Sequence, residues 1–179
     1  MSNYVAFLRG INVGGNKMIS MEALRKAFEG CGFANVKTLL VSGNVVFDAS
    51  SKDTRALKQT IEAKIKRSFA MDVSVILRSL DELQALADAN PFVKIKITPQ
   101  TRCYVTFLSE KPTSKLKVPY ESPEKDFKIL RVTNTEVCSA LTLSPQRGTV
   151  DVMAILEKEF GKNVTTRNWN TVMRVLQLR

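Results

Sequence analysis

The sequence predicts an α+β protein, with a βαββαβ ferredoxin-like N-terminal half and a second α+β half behind it. Three observations lead there. Apolar residues at strand and helix spacing alternate in the order β, α, β, β, α, β through residue 77. Glycine, proline and helix-capping residues fall between those segments, where the chain has to turn. Apolar residues make up 44% of the chain against 25% charged, enough to build a core and far from disordered composition. A chain of 179 residues holds one domain or two small subdomains, and we expect residues 1–78 to form the first and 79–179 the second, packed on it.

Tyr4 to Leu8 is a short apolar run that reads as a buried strand. A helix follows with Ser20 as N-cap, Ile19 placed to staple onto Leu24, and Gly30 and Gly32 as its stop. Val36–Val41 and Val45–Phe47 are β-rich and flank Ser42-Gly43-Asn44, which predicts a tight hairpin with positive φ in the turn. Leu57, Ile61, Ile65 and Phe69 mark one face of the next helix, and Val73–Leu77 is the fourth strand. The charged residues Lys58, Lys64, Lys66 and Arg67 on that helix suit a solvated face.

The second half opens on a capping box, Ser79 with Glu82, and its helix ends at Asn90-Pro91. Strands are expected at 102–108, 127–132 and 137–143, a helix over about 150–160 stopped by Gly161, and a last amphipathic helix carrying Trp169, Val172, Met173 and Leu176. Residues 109–126, rich in proline and lysine, form the longest irregular stretch. Both halves offer strands and helices in similar proportion, which raises a structural duplication, although no repeat shows in the sequence itself.

Composition narrows the chemistry. The chain has no histidine, which removes Ser-His-Asp triads, Cys-His pairs and HExxH zinc sites. Cys31, Cys103 and Cys138 are far apart with no CxxC pair, so they read as reduced thiols, and neither a metal nor a cofactor is expected. With no secretory signal pattern and no apolar run of about 18–20 residues, a cytoplasmic location off the membrane is the expectation. Formal net charge is +10, with 12 basic against 9 acidic residues up to position 90 and 15 against 8 beyond it. That surplus favours an anionic partner, a nucleotide, phosphorylated metabolite or nucleic acid, and serves solubility as well. Nothing in the sequence sets the oligomeric state.

Three stretches, residues 4–17 (YVAFLRGINVGGNK), 41–47 (VSGNVVF) and 165–172 (TTRNWNTV), together resemble the bacterial domain-of-unknown-function family 1697, and residues 78–92 match it more weakly. The resemblance implies an α+β fold with ferredoxin-like halves and implies no activity. One departure stands out: where relatives carry a glycine-rich turn leading into Ser-Lys, this chain continues from Ser144 through Gly148 into Thr149-Val150-Asp151.

Three polar motifs are candidates for function. In the loop at residues 9–17, Arg9, Gly10, Asn12, Gly14, Gly15 and Lys17 lie between a strand and a helix, where backbone amides can cradle an anion; it has neither Walker nor GxGxxG spacing. The same glycines also suit a plain turn. Ser42 and Asn44 belong to the hairpin turn, and strand directions bring that turn to the end of the sheet where the 9–17 loop lies. Arg167, Asn168 and Asn170 crowd the expected start of the last helix, beside Trp169, where a guanidinium and an indole can hold a phosphate or stack a base; caps and a polar seam account for such a cluster too. We expect the three to share one composite site for a phosphate-bearing ligand. An enzyme acting on a phosphorylated or nucleotide substrate, with Lys17 or Arg9 opposite a carboxylate such as Asp48, is the alternative.

Overall fold

The computed structural model describes residues 1–15, 18–144 and 151–179. Its first elements are β1 (Ser2–Leu8), α1 (Met21–Glu29), β2 (Ala34–Leu39), β3 (Asn44–Ala49), α2 (Thr54–Phe69) and β4 (Val75–Ser79). They build a sheet of order β2-β3-β1-β4 with every neighbouring pair antiparallel, the ferredoxin-like arrangement. Strand alternation places Tyr4, Ala6 and Leu8, Val45 and Phe47, and Val75 and Leu77 in one core with Leu24 and Phe28 of α1 and Leu57, Ile61 and Ile65 of α2. The intervening Val5, Phe7, Val46 and Ile76 are buried as well, which is why β1 reads as a continuous apolar run. Ser20 caps α1 by accepting from Ala23 N, and Asp53 caps α2 through Arg55 N and Ala56 N.

The remaining elements are α3 (Leu80–Asp88), β5 (Thr101–Leu108), β6 (Tyr120–Glu121), β7 (Phe127–Val132), β8 (Glu136–Thr142), α4 (Val152–Phe160), β9 (Val164–Asn168) and α5 (Trp169–Leu176). Five strands form a second antiparallel sheet, order β6-β7-β8-β5-β9. One side of it shares a core with α4, through Leu108, Phe127, Ile129, Val137, Leu141 and Leu156. The described residues thus hold two antiparallel sheets and five helices, and none of these helices is long and apolar enough to cross a membrane. The capping box at α3 is present, Ser79 N donating to Glu82 Oε2 and Glu82 N to Ser79 Oγ.

Two compact units emerge: Met1–Ala85 with Arg174–Arg179, and Leu86–Met173. The last residues belong to the first unit because Lys37 Nζ donates to Leu178 O at 2.8 Å and Arg179 pairs with Asp81 at 3.0 Å.

The structure corrects the sequence reading at three places. β2 ends at Leu39 and Asn44 already pairs with it across the ladder, so the turn is Leu40–Gly43 rather than Ser42–Asn44. Leu40 and Gly43 take positive φ, and Asn44 Nδ2 closes the turn onto Leu39 O at 2.7 Å. Residues 165–168, expected at a helix start, are the strand β9; the β-branched run Val164-Thr165-Thr166 pairs along β5 before the helix begins at Trp169. A short strand, β6, lies inside the stretch expected to be irregular. The 145–150 segment, which includes most of the Ser144–Asp151 departure and the first residue of the expected helix, lies outside the described residues, as do Asn16 and Lys17.

Within the second sheet, β7-β8-β5-β9 repeats the permutation β2-β3-β1-β4. The match extends to residues. Tyr4-Val5-Ala6-Phe7-Leu8 corresponds to Tyr104-Val105-Thr106-Phe107-Leu108, and Val5 faces Arg78 as Val105 faces Arg167. Both arginines donate from Nη1 to the preceding carbonyl, at 2.7 and 2.9 Å. In both units the strand carrying that arginine runs directly into a helix, β4 into α3 and β9 into α5. The equivalence is one of topology and register.

Candidate functional site

The loop after β1 and the β2–β3 turn do meet. β1 runs antiparallel to β3 with Phe7 opposite Asn44, so Leu8 N donates to Gly43 O at 2.9 Å. Asn12, at φ 54°, fastens the two loops: its Oδ1 accepts from Ile19 N at 2.7 Å, and its Nδ2 donates to Ile19 O at 2.9 Å and Val41 O at 2.8 Å. Ile11 is buried beneath the turn, and a Cβ on Gly43 would stand 2.6 Å from Ile11 Cδ1 and 2.9 Å from Leu8 Cβ. Glycine is therefore required at 43 by close approach as well as by its φ of 75°. Asn44 is fully buried, its amide shared between Leu39 O and Ser42 Oγ. Asn12, Ser42 and Asn44 thus have structural work in the loop pair. Arg9 N is tied to Ser74 O, while Gly14 and Gly15 face open space. Around them Val13, Met18, Leu40 and Val41 are exposed.

Asp48, the carboxylate considered for an enzyme, accepts from Asn3 Nδ2 at 2.6 Å and Asn35 Nδ2 at 2.7 Å. It sits four residues along β3 from Asn44, on the order of 13 Å away, beside the start of β1 rather than its end.

At the C-terminal motif the neighbours Arg167 and Asn168 project to opposite faces of β9. Arg167 is buried, with its Nη1 donating to Thr165 Oγ1 at 2.8 Å and Thr166 O at 2.9 Å; burial pushes its guanidinium down to about 10. Asn168 Oδ1 accepts from Asn170 N at 2.9 Å, capping α5. Trp169 lies against Phe92 with ring centroids 5.2 Å apart.

Asn168, Trp169 and Asn170 line a cleft of about 360 Å³ in the second unit, together with Asn90, Phe92, Ile97 and the start of β5 at Thr101, Arg102 and Cys103. Arg102 Nη1 donates to Pro99 O at 2.7 Å and Thr101 O at 2.9 Å, which leaves Nε and Nη2 without a hydrogen bond among the described residues. The Trp169 indole N–H and the side-chain amides of Asn90 and Asn170 are likewise unused among the described residues. Burial pushes the Cys103 thiol up, away from the thiolate that a nucleophile needs. Sequence reasoning missed Arg102, Phe92 and Cys103. The first residues of a strand carry no site signal alone, and only the pairing of Tyr104 with Asn168 brings them to the end of β9.

The fold is similar to that of a solved structure described as that of the conserved bacterial protein SP0830 from Streptococcus pneumoniae, with a TM-score of 0.72, 19% sequence identity, and 99% of this chain and 98% of that one covered. No curated protein matches the sequence. The family model described as "Protein of unknown function (DUF1697)" matches residues 1–137, and the chain belongs to that family.

Proposed function

We propose that this is a binding protein for a phosphate-bearing ligand, and that the cleft between the start of β5 and the start of α5 receives it. The observation that carries the reading is the lining itself: one guanidinium with two nitrogens unengaged among the described residues, an indole, three asparagines and no carboxylate. Such a surface attracts anions and repels no part of them, and Arg presents paired donors suited to phosphate oxygens. The net charge of +10 supports the same polarity of partner.

Thermal-shift and calorimetric titration with phosphorylated metabolites, nucleotides and short oligonucleotides test it. The expected result is ligand-dependent stabilisation, reduced at least tenfold in affinity by Arg102→Ala, in line with about 1.5–3 kcal/mol for a hydrogen bond to a charged group. Stabilisation unaffected by Arg102→Ala, or none at all, would remove this cleft from consideration. An anion-binding role for the 9–17 loop, with Arg9 and Lys17 as its cations, is a separate part of the proposal and requires Arg9→Ala or Lys17→Ala to weaken binding of a phosphate-bearing ligand. For nucleic acid, affinity must also fall by about 10³-fold or more between 50 and 200 mM salt if about six phosphates are contacted.

A further inference from the structure

We infer that the cleft selects a single nucleotide, with its base against Trp169 and its phosphate at Arg102, in preference to a sugar phosphate or a nucleic-acid strand. This rests on the anion-binding reading above and adds the identity of the ligand class.

Size is the first argument. About 360 Å³ lies at the lower end of the roughly 300–1,000 Å³ typical of small-molecule sites. A half-open cleft of that size holds one small ligand; a strand needs an extended groove with several stacking platforms.

The second argument is the aromatic wall. Phe92 is buried and holds Trp169 at an interplanar angle of 59°, while Trp169 is itself only half-buried, so an indole surface of fixed orientation is presented beside the polar groups. A sugar phosphate has no π-face to place there. A nucleobase does, and stacking on an aromatic side chain contributes about 1–3 kcal/mol.

Hydrogen-bonding capacity is the third. Carboxamides match the paired donor and acceptor edges of bases. The amides of Asn90 and Asn170 make no side-chain bonds among the described residues, and Asn168 keeps its Nδ2 donor because only its Oδ1 is occupied by the cap.

The fourth argument comes from the first unit. Aligning Tyr4 with Tyr104 and Arg78 with Arg167 puts Ser2, Ser79, Leu80 and Asp81 at the positions of Arg102, Asn168, Trp169 and Asn170. The first unit therefore shares the backbone plan but has an aliphatic residue for the indole, a carboxylate, paired with Arg179, for the exposed amide, and a serine where the second unit has the Arg102 guanidinium. The four changes in the second unit all move toward an anionic, planar ligand, which the architecture alone does not demand.

The chain has one tryptophan, so its fluorescence reports on this cleft alone. The experiment titrates the full chain with AMP, GMP, CMP, UMP, the four nucleosides, ribose 5-phosphate, inorganic phosphate and a dT oligonucleotide, followed by Trp169 fluorescence and by calorimetry. At least one mononucleotide should change the fluorescence and bind at least tenfold more tightly than its nucleoside and than ribose 5-phosphate. Arg102→Ala should remove the advantage over the nucleoside while leaving nucleoside binding in place. Asn170→Ala, at an exposed position where folding is not at stake, should alter the ranking among the four bases.

Ribose 5-phosphate binding as tightly as every nucleotide would overturn the base assignment and leave the anion reading standing. Binding of the oligonucleotide alone would overturn the single-nucleotide selection in favour of a strand. Failure of every anion to bind would overturn the anion reading itself.

Discussion

The two units share a strand permutation and a near-identical strand, yet they complete their cores differently. In the first, both crossovers are helices: α1 joins β1 to β2 and α2 joins β3 to β4. In the second, α4 joins β8 to β9 as α2 does, but the connection from β5 to β7 is an irregular stretch containing only β6. Leu116 and Tyr120 from that stretch, half-buried, pack on the core where a helix would otherwise contribute. The cost falls on the strand residues. Phe47, opposite Tyr4, stacks on Phe33 at 4.5 Å and meets Phe28 at 5.4 Å; its register equivalent opposite Tyr104 is Ser139. The Ser139 hydroxyl is buried and has no hydrogen-bond partner among the described residues. A shared backbone topology fixes where side chains stand, and the local cover decides what they have to be.

The largest effect that tests this contrast is Phe47→Ala. Removal of a buried ring at the centre of an aromatic cluster should cost about 3–5 kcal/mol, read as a lower midpoint in urea with unchanged slope. A loss under about 1 kcal/mol would mean that the two helices of the first unit do not depend on this ring.

Gly43→Ala comes next, at about 2–4 kcal/mol, because a left-handed residue with a Cβ adds roughly 1–2 kcal/mol of strain and the contact with Leu8 Cβ adds overpacking. Gly14→Ala is its control: its φ is also positive, at 57°, but its Cβ would meet nothing within 4 Å, so only the strain of about 1–2 kcal/mol should remain. Equal losses at both positions would show that close approach at the turn does not matter.

The smallest effect is the sharpest comparison with Phe47. Ser139→Ala deletes a buried hydroxyl that has no partner, and stability should stay the same or rise by up to about 1 kcal/mol. Thermal unfolding measures it, and a clear loss would show that the hydroxyl has a partner and that the second unit uses this position for more than filling space.

Local chemistry made much of the first unit legible. Ser20, Gly32, the Ser79–Glu82 box and the spacing of Leu57, Ile61 and Ile65 each act through near neighbours, so the helices and their ends follow from a few residues at a time. The meeting of the 9–17 loop with the turn followed from strand direction, without knowledge of the Asn12 side chain that secures it. The internal similarity was harder to see. YVAFL and YVTFL lie 100 residues apart while Arg78 and Arg167 lie 89 apart, because the two units differ in the lengths of their connections, so no fixed period exists.

By itself, then, the sequence determined the fold class, the order of elements in the first half, the lack of imidazole chemistry and the excess of positive charge. Those depend on composition and on periodicities read over a few residues. Tertiary structure decided that Val164–Asn168 is a strand, because β5 supplied backbone partners some 60 positions away that outweigh the pull of nearby capping residues. It also decided which polar residues stand together: Arg167 turned into a buried position, while Asn168, one residue on, faced a cleft with Arg102. Alternation along a strand separates neighbours in sequence and pairing joins strangers, so the members of this site became visible only once the register of β5 and β9 was known.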